Sequence, residues 1–89
     1  MKARKGFNLR NVCGEQIIVP EGKENIDCSS IISMNESSAY LWKNIQDKDF
    51  TAEDLVRLLM DEYEVDEETA GEDVRQLIRQ WQTADLLEP

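Results

Sequence analysis

Asn25 to Ile45 reads NIDCSSIISMNESSAYLWKNI, and the hydrophobic period changes inside it. Ile31, Ile32 and Met34 form a short β-rich run. Ser38, Ala39, Leu41, Trp42 and Ile45 then recur at helical spacing, so strand becomes helix across Asn35. Asn is a favoured helix N-cap because its side-chain oxygen accepts from the free N–H groups of the first turn, and Glu36 beside it suits the positive end of the helix dipole. A third strand over Ile31–Met34 feeding a helix from Asn35 to about Gln46 is expected. A strand held this tightly to a helix has a fixed edge, and what pairs with that edge becomes the functional question.

Working upstream, Phe7 to Cys13 alternates, with Phe7 and Leu9 on one face and Asn8 and Arg10 on the other, as in a half-buried strand. Gly14-Glu15 precedes the β-rich run Gln16-Ile17-Ile18-Val19, and Gly at the first central position suits a type II′ turn, so a β-hairpin turning at 14–15 is expected. Pro20 lacks an N–H for a ladder and ends that strand. Glu21 to Asn25 reads as a polar loop, and Ile26 to Cys28 as a short extension without an assigned partner.

Downstream, Asp47-Lys48-Asp49 breaks the helical pattern. Thr51 caps a second helix, with Asp54 as a weak capping box and Phe50 placed to staple onto Leu55. Leu55, Leu58, Leu59 and Tyr63 form its apolar stripe, which ends at about Tyr63. Asp66 caps a third helix, and Glu67 and Glu68 complement its dipole. Ala70, Val74, Leu77, Ile78 and Trp81 form the cleanest stripe of the chain, which predicts the longest helix, and Leu86 and Leu87 follow as a short tail that tucks back.

Eighty-nine residues make one domain with one core and little room for a buried active site. Apolar residues are 40% and charged residues 33%, an ordinary globular balance, and no run approaches the roughly 18 residues of a membrane span. No apolar segment follows the basic start MKARKGF, so a secretory signal is not expected and a cytoplasmic setting is. Cys13 and Cys28 lack the spacing of a zinc or redox motif and read as buried thiols. The chain has no histidine, which removes the commonest general base and metal ligand. No cofactor, no metal and no catalytic activity are expected.

Net charge is −9 and unevenly distributed. Lys2, Arg4, Lys5 and Arg10 stand in the first ten residues without an acid, and residues 1–6 read as a flexible basic arm. From Asn11 onward six basic residues face nineteen acidic ones. Such a body repels a phosphate backbone and favours basic peptides or proteins, with electrostatics chiefly raising the association rate. The acidic run Asp61 to Glu68 lacks the alternating ligands and central Gly of an EF-hand and reads as solvated helix ends. Ser29-Ser30 and Ser37-Ser38 have no His or suitably placed Lys to activate them. Trp42 and Trp81, each on an apolar stripe, read as core first and pocket second.

The order of three strands and three helices, together with GFNLRNVCGEQIIVPEG, IISMNESSAYLW and VDEETAGEDVRQLIRQWQTADLLE, resembles the PqqD family over nearly the whole chain. The most specific pieces are Met34 to Ala39 at the strand-to-helix joint and the acid-rich start of the third helix with its Leu/Ile stripe. The resemblance implies an α+β, winged helix-turn-helix-like domain: a three-stranded antiparallel sheet followed by three α-helices. It implies a non-catalytic chaperone or adaptor that binds the leader of a ribosomally made precursor peptide and presents it to a modifying enzyme, often a radical S-adenosylmethionine protein. In such domains the leader adds as a strand to the third strand, and its side chains enter a cleft toward the third helix. Carried onto this chain, the edge is Ile31, Ile32, Ser33 and Met34. The opposing wall is drawn from Val74, Leu77, Ile78 and Trp81, with Asp73, Gln76 and Gln80 as rim contacts.

Two rivals come from other classes. A winged-helix DNA binder would need a basic recognition helix, whereas Glu67, Glu68, Glu72 and Asp73 outnumber Arg75 and Arg79 on the third helix. A purely structural accessory subunit would dock on an enzyme without touching a peptide. An unused sheet edge also permits homodimerisation by strand pairing.

Overall fold

The computed structural model describes residues 1–20 and 32–88. The order is β1 (Phe7–Val12), β2 (Glu15–Pro20), β3 (Ile32–Met34), α1 (Glu36–Ile45), α2 (Ala52–Glu62) and α3 (Glu67–Thr83). This is the expected α+β arrangement, an antiparallel sheet of order β1-β2-β3 followed by three helices. The polar loop at 21–25, the extension at Ile26–Cys28 and Ile31 lie outside the described residues.

The hairpin turns one residue earlier than its Gly suggested. Val12 pairs with Glu15, so the two central residues are Cys13 and Gly14. Both have positive φ, 54° and 82°, as a type I′ turn requires and a type II′ turn does not. Holding Cys13 there costs about 1 kcal/mol. In return the register sets Leu9 opposite the fully buried Ile18, where a turn at 14–15 would have put Asn11. Cys13 is exposed at this turn, which corrects the expectation of a buried thiol.

Each helix starts at its expected cap. Asn35 accepts the Ser38 N–H at 2.8 Å, and Asp66 accepts the Thr69 N–H at 2.7 Å. Thr51 and Asp54 form a complete capping box, each side chain accepting from the other's backbone N–H. The buried residues of α1 are Ser38, Ala39, Leu41, Trp42 and Ile45, and those of α3 are Ala70, Val74 and Trp81. Behind them Trp81 meets both Trp42 and Phe50 edge to face, the preferred geometry for aromatic pairs. Phe50 and Leu55, the two ends of the expected staple, are buried in the same core cluster.

Residues 1–4 do not behave as the free arm their charge suggested. Phe50 N–H donates to the Met1 carbonyl, Arg4 N–H to the Leu86 carbonyl and Glu88 N–H to the Lys2 carbonyl. The N-terminal segment is therefore laced between the α1–α2 connection and the tail. The cause is apolar: Ala3, Leu86 and Leu87 are all buried, so the tail tucks back and takes the start of the chain with it. The Arg4–Asp85 ion pair at 3.0 Å is exposed on both sides and adds little.

Candidate functional site

β3 is short, and among the described residues it pairs only with β2. In a strand the N–H and C=O groups of successive residues point to opposite sides, so a strand paired on one side keeps a row of donors and acceptors on the other. Ile32 and Met34 share the pleat face of Ile18 and Gln16, and Ser33 points to the other face with Ile17. Met34 is buried, Ile32 half-buried and Ser33 exposed. The outer edge of β1 is likewise unpaired among the described residues.

The chain leaves β3 through Asn35, and there a cleft of about 220 Å³ opens between α1 and α3. Its α1 wall is Asn35, Ser37, Ser38 and Leu41, Leu59 of α2 contributes, and its α3 wall is Asp73, Val74, Gln76, Leu77 and Gln80. The α3 wall arises from helical spacing: 73, 76–77 and 80 are one turn apart and fall on one side. The cleft is smaller than the roughly 300 Å³ at which drug-sized ligand sites begin and suits one or two side chains of a longer chain. A larger groove of about 990 Å³ between α2 and α3 lies along Ala52–Asp61 and Glu67–Arg75, without any strand residue in its lining. Of these two, the smaller cleft meets β3 through Asn35, the residue that follows Met34, and that decides between them.

The structure thus gathers Asp73, Val74, Gln76, Leu77 and Gln80 beside the end of β3. It does not bring Ile78 into the cleft lining, and it places Trp81, 2% exposed, in the core against Trp42 and Phe50. One helix stripe carries both sets: Val74 forms the cleft floor, whereas Trp81, two turns on, lies against the aromatic core. Asn35, Ser37, Ser38, Leu41 and Leu59, which also line the cleft, were not among the site residues expected from sequence. Ser37 and Leu41 stand at i and i+4, a spacing that marks a shared helix face, but serine beside a cap reads as capping alone.

Ser37 Oγ donates to Asn35 Oδ1 at 3.0 Å and Ser38 Oγ to the Asn35 carbonyl at 3.2 Å, so both hydroxyls are engaged at the cap. Among the described residues no group of three or more Cys, Asp or Glu side chains is placed to hold a metal ion. The Thr69 N–H holds the Asp66 carboxyl below its ordinary range. Desolvation first, then Glu36, Glu62 and Tyr40, push the Tyr63 hydroxyl up. Tyr63 lies edge to face with Tyr40 at 6.1 Å, near the start of α1. No described helix is long and apolar enough to cross a membrane.

A short strand with a bare edge, running directly into a capped helix and backed by a long third helix, defines the class of domain. The PqqD family, described as Coenzyme PQQ synthesis protein D, matches residues 15–87, from the start of β2 to the tail, and the chain belongs to that family. No curated protein matches it. Two solved structures share the fold. "TbiB1 in Complex with the TbiA(beta) Leader Peptide" is similar with a TM-score of 0.72 and 19% identity, over 99% of this chain and 95% of that one. "Lasso peptide synthetase B1 complexed with the leader peptide" is similar with a TM-score of 0.70 and 16% identity, over 99% and 96%.

Proposed function

We propose that this chain is a non-catalytic adaptor that takes the leader of a ribosomally synthesised precursor peptide as an added strand on β3. It then presents the peptide to a modifying enzyme, of the radical S-adenosylmethionine class or another. The observation that carries this is the unpaired edge of β3, joined through Asn35 to the α1–α3 cleft, in a fold shared with two chains whose structures are described as leader-peptide complexes. Three strand residues offer only a few main-chain hydrogen bonds, each worth about 0.5–1.5 kcal/mol net. Selectivity therefore comes from what the guest places in the cleft. Engagement of both cleft serines at the Asn35 cap supports an adaptor over a hydrolase. Self-association through the outer edge of β1 would leave β3 free for the peptide.

The test is an amide-shift titration of isotope-labelled protein with synthetic leader segments of precursor peptides encoded beside its gene. Shifts at Ile32–Met34 and at Asp73–Leu77 are expected. Shifts confined to the α2–α3 groove, or none at any concentration, would end this reading.

A further inference from the structure

On the other side of Asn35 lies a second hollow of about 650 Å³, lined by Gly14, Glu15, Gln16, Ser33, Met34, Asn35 and Glu36. The two hollows share Asn35 and meet at the C-terminal end of β3, where together they form a trough at the strand-to-helix joint. Every charged residue lining this trough is an acid: Glu15 and Glu36 at the Met34 end, and Asp73 on the α3 wall. Two other hollows carry both signs: Arg57 and Arg75 stand beside Glu53, Asp61, Glu67 and Glu68 in the α2–α3 groove, and Arg4 and Lys5 beside Asp47 near the start of β1. Among these hollows the trough is distinguished by a charged lining of one sign, with no cation beside its acids. Glu15, Glu36 and Asp73 are all exposed and make no ion pair among the described residues. A guest on the free edge of β3 has Glu36 close to the end of the strand and Asp73 on the α3 wall of the cleft, with Glu15 farther off on the β2 side of Met34.

We infer that the peptide taken by this chain is basic at defined places: Lys or Arg just beyond the residues paired with β3, and next to the apolar side chain seated over Val74 and Leu77. This rests on the reading of β3 as the docking strand and adds the chemistry of the guest. Glu15, Glu36 and Asp73 are then specificity-determining residues. They act on a guest cation through partly screened charge at short range, while the backbone edge and the cleft supply the rest of the binding.

The experiment is a selection from displayed random peptides of about twelve residues, long enough at roughly 3.3 Å per residue to cover β3 and both of its ends. It is run in parallel against the wild-type chain and the E15K/E36K/D73K variant, with selected peptides mapped by amide shifts. All three positions are exposed, and a circular-dichroism melt checks that the variant is folded. The expected result is Lys and Arg enriched on both sides of an apolar residue for the wild type, with enrichment moving to Asp and Glu for the variant. Individual basic peptides should lose about tenfold in affinity to the variant, as three partly exposed ion pairs would give. Peptides that shift β3 and the cleft but show no charge preference would overturn this inference and leave the proposed function standing. Peptides that shift only another surface would overturn both.

Discussion

Asn35 Oδ1 accepts the Ser38 N–H at 2.8 Å, and the Asn35 carbonyl accepts the Ala39 N–H at 3.0 Å, so one residue closes β3 and opens α1. The same residue lines both halves of the trough. Asn35→Ala removes the side-chain cap at a cost of about 1 kcal/mol, which for a domain of this size lowers Tm by about 4–8 °C. Asn35→Asp keeps the acceptor and is expected to lose much less. Thermal melts of the two variants check this, and if Asn35→Ala melted like the wild type the joint would not depend on the cap.

Trp81 and Leu77 stand on the same helix with opposite expected phenotypes. Trp81→Ala empties the aromatic core and should cost about 3–5 kcal/mol, a large share of the roughly 5–15 kcal/mol that holds a domain folded. Leu77 is half-buried on the cleft wall. Leu77→Ala is expected to cost far less stability and to weaken peptide binding about fivefold, near 1 kcal/mol. Denaturant unfolding and peptide titration on both variants separate the roles.

Hydrogen exchange gives a readout independent of substitution. The outward N–H groups of β3 have no partner among the described residues and should exchange quickly in the free protein. An added guest strand should slow them, while the cap amide of Ser38 changes little because its bond to Asn35 is already made. Unchanged exchange at β3 under saturating peptide would be incompatible with strand addition.

The Asp66 carboxylate is stabilised by the Thr69 N–H, so its folded-state pKa lies below its ordinary value of 3.8. The sign follows from linkage: the unfolded chain binds this proton first, so the contribution is full above about pH 4 and is lost as pH falls through the lower folded value. Asp66→Asn keeps a cap without the titration, and its unfolding free energy should depend less steeply on pH between about 4 and 2. Urea unfolding across that range tests it. A wild-type slope retained in the variant would assign the acid sensitivity to another carboxylate.

The helix starts at Asn35, Thr51 and Asp66 were legible because a cap is a contact spanning three residues, complete within the local chain. The alternation of Phe7 and Leu9, the apolar stripe of α3 and the return of Leu86 and Leu87 were legible for a similar reason, since periodicity records which side is driven from water. Tertiary structure decided what local pattern leaves degenerate. The hairpin turns at Cys13–Gly14 because pairing Leu9 with buried Ile18 outweighs the cost of a positive φ at Cys13, which a turn with Gly14 in first place would avoid. Residues 1–4 are tied down because Ala3, Leu86 and Leu87 find one another from opposite ends of the chain. Along α3 a single stripe was divided between core and cleft: Trp81 went inward to Trp42 and Phe50, while Leu77 was left facing α1 across the opening. Spacing along a helix tells which residues share a face, but only the position of the neighbouring elements tells which part of that face is covered.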